Sequence, residues 1–451
     1  MSIRTSPCRI RFKTHVAALA TGVSLIAVLA APSHAANWPA FRGDGSSVSP
    51  DKSLPREWGA EKNVRWRVDL PGRSNGSPIV WGDRVFATSQ VGRGASRQGP
   101  RLGQGGSASS AERSLSSAGG SARGITFVVD ALNRQSGQPV WRFELPAEGH
   151  LPEVHDKHNL ASPSPVTDGE RVYAVFGSGQ VVAIDMNGKQ VWARNLGKEY
   201  APFEINWGAG SSPIVHSGSL ILVCYYEGAS YLISLDARTG QQRWKTDRPR
   251  GVLSYTTPVV VPAPSGEELI VNSSTGIEAF DPATGRALWY FNEPNQFPIP
   301  VAMHHDGIIF VSRGYRSGPY AAIRPGGRGD ISKTHVVWHV PTGAPYISSL
   351  VYYDGLLYMA GDVGVVTCVD AKTGTTVWRH RLGNIFTASP VAGDGKVFFA
   401  SESGETIVMR AGRTPQVIAR NTIAGRVLAS PAVSESRLFL RTDDHVFAIG
   451  R

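Results

Sequence analysis

The chain has 451 residues with 50 Gly and 30 Pro, and only 18% are charged. A chain this long can bury a large core without disulfide staples. The net charge of +10 sits mostly in two segments: residues 1–35 carry Arg4, Arg9, Arg11 and Lys13 with no acid, and residues 90–123 carry five Arg against one Glu. The remaining body is near neutral (10 − 4 − 4 = +2), which excludes a basic groove for nucleic acid.

Residues 1–35 read as a secretory signal peptide. A basic start leads to an apolar stretch from Val16 to Ala31, and small residues Ser33 and Ala35 precede a cut before Ala36. The stretch is shorter than the ~20 residues needed to span a bilayer. A periplasmic or secreted protein without a stable membrane span is therefore expected. Cys8 lies ahead of the apolar stretch, so it cannot carry lipid at the cleavage point. Residues 36–61, including Trp38-Pro39-Ala40-Phe41-Arg42-Gly43, form an N-terminal extension expected to pack on the ring that follows.

From residue 62 the chain repeats, and repetition at this period decides the architecture. Strands open after Ser77-Pro78, Ser164-Pro165, Ser212-Pro213, Thr257-Pro258, Ser389-Pro390 and Ser430-Pro431, with degenerate openings at Ile299-Pro300 and Ser349-Leu350. Proline is tolerated there because the first residue of a strand needs no ladder donor. An apolar run, a hairpin turn such as Asp168-Gly169 or Asp394-Gly395, and a second apolar run follow. Each unit then places an Asp or Asn, a Gly and a Trp at fixed spacing. Asp236 and Gly240 lead to Trp244, Asp281 and Gly285 to Trp289, Asp370 and Gly374 to Trp378, and Asn133 and Gly137 to Trp141. Asp185 to Trp192 is a shortened copy, and Trp338 keeps the place after a longer turn. Asp or Asn starts the turn, Gly takes the left-handed position, and Trp projects an apolar ring between neighbouring sheets. The seventh unit has lost its Trp.

Eight openings, each with four strands, predict an all-β, eight-bladed propeller of antiparallel blades over residues 62–451. The last unit has only three strands. Asn63 to Leu70, with Trp66, is expected to pair with it and close the ring, leaving no open edge. The Gly, Ser, Ala and Arg-rich stretch at about 90–123 buries too little to order itself and is expected to be a disordered insertion.

The Asp-x-x-Thr-Gly-x-x-x-Trp copies resemble the tryptophan-docking repeat of the quinoprotein alcohol dehydrogenase-like superfamily. The blade order, with His158 to Pro165 and Thr334 to Trp338, resembles exported PQQ-binding-like β-propeller repeat proteins. The resemblance covers about residues 62–450 and implies the fold. It includes pyrroloquinoline-quinone dehydrogenases and the non-enzymatic lipoprotein of outer-membrane assembly. The dehydrogenases carry an adjacent Cys pair and often a C-x-x-C-H haem site, and this chain has neither. The lipoprotein's lipidated Cys is also missing. Cys224 and Cys368 either pair or stay buried as small apolar side chains.

Strand order puts the Gly/Asp hairpins and Thr-Gly turns on one regular face. The irregular connectors emerge on the other, where recognition is expected. Candidate residues at the channel mouth are Arg73, Asn75, His158, Asn159, Trp207, Tyr255, His304, Tyr346, Phe386 and Arg426. This mixture suits a small polar or anionic ligand, a peptide, or a partner protein; equally, Trp207, Tyr346 and Phe386 plug the channel. His155 and His158 with Glu153 and Asp156 lack a metal-ligand spacing and read as a solvated loop. Asp443-Asp444-His445 falls in a hairpin, and Gly72 to Gly76 matches a nucleophile-elbow pattern between two strands, where it has no helix to follow. The expected function is a monomeric, non-catalytic ligand-binding or protein-interaction scaffold with no catalytic residue, metal or cofactor. The alternatives are a quinone- and calcium-dependent dehydrogenase and a carbohydrate-binding or lyase-like propeller.

Overall fold

The computed structural model describes residues 1–2, 37–97 and 124–450. Among the described residues of 37–450 there are eight four-stranded antiparallel blades in a closed ring, with one short helical turn at Leu196–Glu199. Blade 1 is Ile79–Trp81, Arg84–Val91, Thr126–Asn133 and Pro139–Pro146, and blade 4 is Val259–Ala263, Gly266–Asn272, Gly276–Phe280 and Ala287–Asn292. Blade 5 runs from Met303–His305 to Val336–Val340, and blade 7 from Val391–Gly393 to Val417–Thr422. Blade 8 joins Ala432–Ser434, Arg437–Arg441 and His445–Ile449 to the N-terminal strand Val64–Asp69, so the two ends of the chain close the ring. The segment expected to be a signal peptide, apart from residues 1–2, and positions 98–123 of the expected insertion lie outside the described residues. The inferred start of that insertion at 90 is too early. Gln90 and Val91 pair with Phe127 and Thr126, and Ser96–Arg97 pairs with Val154–His155.

The repeat Trp residues hold blade to blade. Trp66 donates its indole N–H to the Arg134 carbonyl in the turn of blade 1 (3.0 Å), and Trp141, Trp192, Trp244, Trp338 and Trp378 do the same to the turn of the following blade. The turn glycine is needed twice over. Gly240 has φ +75°, and a Cβ there would lie 2.7 Å from the Trp192 ring. Each Trp faces a small residue on the third strand of its own blade, with a β-bulge beside it: Ala131 opposite Trp141, Ser234 opposite Trp244, Cys368 opposite Trp378. Cys368 is therefore a small core residue. Cys224 is likewise buried and unpaired.

Two blades depart from the rule, each for a local reason. The turn of blade 5 has grown, and Trp289 donates instead to the buried Glu268 carboxylate (2.7 Å). In blade 7 Ala419 stands where Trp is expected, opposite Val408. The turn it would dock on does not exist, because that corner of blade 8 is where the chain ends meet. The extension supplies the missing ring: Trp58 stacks on Phe398 of blade 7 (centroids 6.5 Å) and its backbone N–H donates to the Asn421 side chain (2.9 Å).

The extension also crosses the middle of the ring. Trp38 pairs with Val80 in the first strand of blade 1, and Val48 with Ala392 in the first strand of blade 7. Between them Arg42 is fully buried and donates to the Leu350 carbonyl at the start of blade 6 (2.8 Å).

Candidate functional site

The blade-opening Ser and Thr residues form a collar. The backbone N–H of each donates to the hydroxyl of the next blade: Ser77 to Ser164 (2.9 Å), Ser164 to Ser212 (2.9 Å) and Ser212 to Thr257 (3.0 Å). It continues from Val301 to Ser349 (3.0 Å), Ser349 to Ser389 (3.0 Å), Ser389 to Ser430 (2.8 Å) and Ser430 back to Ser77 (3.0 Å). Val301 occupies the collar position of blade 5 and has no hydroxyl, so the link from Thr257 is missing. The degenerate opening read at Ile299-Pro300 thus belongs two residues later, at Val301-Ala302.

All seven hydroxyl residues line one cavity of about 1010 Å³ that opens to solvent on the connector face. Phe41 of the extension forms part of its lining, and Trp207, Tyr255, Ile299, Ile347 and Leu428 contribute apolar surface. A second cavity of about 770 Å³ lies between the extension and the first strands of blades 2 to 4, and it shares Phe41, Thr257 and Val301 with the first.

Four of the sequence candidates line the larger cavity: Asn75, His158, Trp207 and Tyr255. Trp207 has φ +78°, a left-handed backbone that costs a non-glycine residue about 1–2 kcal/mol. Its carbonyl accepts the His155 N–H (3.1 Å), and the Arg97 guanidinium sits 4.7 Å over its ring. His158 packs against the Trp207-Gly208 turn, and desolvation pushes its pKa down to about 3. Its Nδ1 is buried without a hydrogen-bond partner. Burial drives the Tyr255 phenol well above its ordinary range, and its hydroxyl donates to the Asn206 carbonyl. Lys157, also in the lining, is neutralised by Glu402 (2.8 Å).

The other candidates do not converge there. Asn159 accepts the Ala161 N–H within its own loop (2.9 Å), Phe386 is fully buried against Phe399, and Arg426 is paired with Asp443 (3.0 Å). Arg73 lies exposed at 4.0 Å from Asp444. Tyr346 packs at a tilt on Tyr315 beside the cavity (centroids 5.2 Å) and donates its backbone N–H to Asp362 (3.0 Å). His304 is a correction. Because Val301 holds the collar slot, His304 falls within the strand Met303–His305, next to the hairpin at Asp306, and outside the lining of the larger cavity. Sequence reasoning missed Phe41 and the collar hydroxyls. The signal for the collar was the residue before each blade-opening Pro.

The calcium and quinone of the dehydrogenases do not fit this cavity. The divalent ion held with the quinone needs acidic ligands. The lining has no Asp or Glu, its one Lys is paired, and the extension fills the channel beneath. Among the described residues no group of His, Cys, Asp or Glu could hold a metal ion.

An eight-bladed ring of Trp-docked, four-stranded blades around such a mouth defines a PQQ-like repeat propeller of the quinoprotein superfamily. The profile of the family described as outer membrane protein assembly factor BamB matches residues 126–315, 330–413 and 362–449, and the chain belongs to that family. Among curated proteins it is similar to the tetrathionate hydrolase of Acidithiobacillus ferrooxidans, at 27% identity over 307 residues, 62% of this chain and 56% of that protein. The chain thus spans just over half of that relative's length. It is also similar to the BamB of Yersinia pestis, at 24% identity over 60% of this chain and 68% of that protein. In fold it matches the crystal structure of BamB from Moraxella catarrhalis (TM-score 0.59, 15% identity, 85% of this chain and 96% of that one). It also matches the quinohemoprotein alcohol dehydrogenase of Comamonas testosteroni (TM-score 0.62, 12% identity, 92% and 81%).

Proposed function

We propose that the chain is an exported, non-catalytic binding propeller that captures its ligand or partner in the connector-face cavity. One observation carries this reading: the cavity is built for contact, a ring of hydroxyls and apolar surface with its one Lys paired to Glu402. The His158 pKa is pushed to about 3, and the Tyr255 phenol is driven up by burial. Membership of a family named for outer membrane protein assembly supports a role in binding proteins at the cell envelope. Export is inferred from residues 1–35, and no helix among the described residues is long and apolar enough to cross a membrane.

The test is a photo-crosslinking residue in place of Trp207, compared with one in place of Val140, an exposed residue on the outer strand of blade 1. Crosslinks to one specific product from Trp207 and not from Val140 support the reading. Crosslinks from Val140 alone move the site. Tetrathionate cleavage by the purified chain, or dye-linked alcohol oxidation with added quinone and calcium, overturns the non-catalytic assignment.

A further inference from the structure

We propose that the collar is an oxyanion site, taking the carboxylate or sulfur-oxyanion head of a small ligand; this rests on the connector-face cavity being the binding site. Every collar hydroxyl already accepts a backbone N–H from its neighbour. Among the described residues none of the seven donates its own proton to the protein, so the proton is what each offers to the cavity. Ser77, Ser164, Ser212, Thr257, Ser349, Ser389 and Ser430 each keep a proton to offer and one lone pair, and no Asp or Glu shares the lining. Such a ring of available protons suits a head group rich in acceptor oxygens, and an oxyanion is the one that also answers a buried positive charge.

A second, independent observation lies under the collar. Arg42 is 1% exposed, and its Nη2 donates to the carbonyl of Leu350, the residue next to collar Ser349. Its Nε reaches the Gly45 carbonyl (3.3 Å), and its Nη1 is buried with no partner. The nearest acid in sequence, Asp44, binds the Ser46 N–H and hydroxyl (2.9 and 2.5 Å) and makes no ion pair with Arg42. Ser47, whose N–H donates to the Arg42 carbonyl, also holds its hydroxyl buried and unpartnered. A buried guanidinium with no direct ion pair is costly, and desolvation drags its pKa down to about 10 against the smaller opposing pull of the Asp44 charge. Arg42 lines the second cavity, which shares Phe41 with the collar cavity, so an anion seated in the collar adds counter-charge to that of Asp44.

The experiment is calorimetric titration and thermal unfolding of the mature chain with acetate, sulfate, selenate and tetrathionate, against neutral dimethyl sulfone. At least one oxyanion should bind saturably and raise the Tm, while dimethyl sulfone does neither; the arms separate carboxylate from sulfur chemistry. Arg42→Met should weaken binding about tenfold or more, and Arg42→Lys should recover most of it. Because Arg42→Met also removes the Leu350 contact, a wild-type crystal soaked in selenate gives a readout that does not depend on the variant folding. An anomalous peak inside the collar, against Ser349 or Ser389, supports the assignment. Selenate found only on surface arginines, an adventitious ion only, overturns it, as does equal stabilisation by dimethyl sulfone. A neutral ligand whose binding depends on Trp207 and which no oxyanion displaces would keep the cavity as the binding site and sink the oxyanion. Selenate in the collar with no crosslinking from Trp207 would have the opposite meaning.

Discussion

Removing Trp58 tests whether the extension is an integral part of blade 7 or merely lies on it. Its side chain is 5% exposed and stacks on Phe398 at 6.5 Å, the place that Trp378 takes against Tyr358 in blade 6 (6.0 Å). A buried Trp removes some 150–250 Å² from water, or roughly 4–6 kcal/mol at about 25 cal/mol per Å². Compactness of the unfolded chain trims this, so Trp58→Ala should cost about 3–4 kcal/mol. The sharper test is Ala419→Trp. With Trp58 present the slot is filled, and the second ring should overpack it by about 1–3 kcal/mol. In a Trp58→Ala, Val408→Ala background the same substitution should stabilise, since the change at Val408 then restores the small residue that faces every other repeat Trp. The assay is denaturant unfolding of all members of the cycle, scored as a coupling energy. If Ala419→Trp is neutral or stabilising while Trp58 is in place, the slot is empty and the reasoning fails.

Gly240→Ala, forced into φ +75° with its Cβ against Trp192, should destabilise by about 2–4 kcal/mol; a loss below about 1 kcal/mol in urea melts would contradict the docking geometry. Burial raises the Asp362 pKa from 3.8 to about 6. Its stabilising contribution is therefore complete below pH 4 and is lost as pH rises through 6, worth about 1–2 kcal/mol after screening of this half-buried group. The stability difference between wild type and Asp362→Asn, measured from pH 4 to pH 7, should move by that amount and in that direction. Burial pushes both the Cys224 and Cys368 thiols up to about 12, so neither should react with a thiol reagent in the native chain. Both should titrate after unfolding, and rapid labelling of either before unfolding would show that its blade core is open.

Blade number, closing strand and docking residues were legible because each repeats in the sequence with its own turn chemistry. What the repeat could not show was the partner of each element. Ser-Pro read as a strand opening because proline explained itself, while the hydroxyl beside it acts only across the seam to the next blade. The aromatics of the extension, Phe41 among them, were expected to pack across the ring rather than to bind, and nothing local marks Arg42 as the residue buried between Val80 and Ala392. His304 was misplaced by a two-residue register error at the one collar position that is not Ser or Thr. The loss of Trp from blade 7 was visible at once. Its cause, a missing turn at the ring closure, needed the topology.

Blade 5 is where the repeat relaxes its rules together, and the relaxations are connected. Without a collar hydroxyl at Val301, the seam between blades 4 and 5 is held by a buried polar network. Thr256 donates to the Ile299 and Pro300 carbonyls (3.0 and 3.2 Å), and Asn272 to those of Pro300 and Ser312 (2.8 and 3.3 Å). Arg313, 1% exposed, donates to the Asn272 side chain and to the Ser273 carbonyl (2.8 Å). Strand Gly329–Asp330 from the enlarged turn then adds to the outer edge of blade 4. A collar of identical links would present every ligand with eight equivalent orientations. Breaking it at one seam, and compensating there with groups that reach away from the channel, gives the mouth a direction. Val301 and Thr257 flank that break, and they are the blade residues shared by both cavities. The asymmetry that a specific ligand requires therefore enters the ring at the seam where the sequence repeat is weakest.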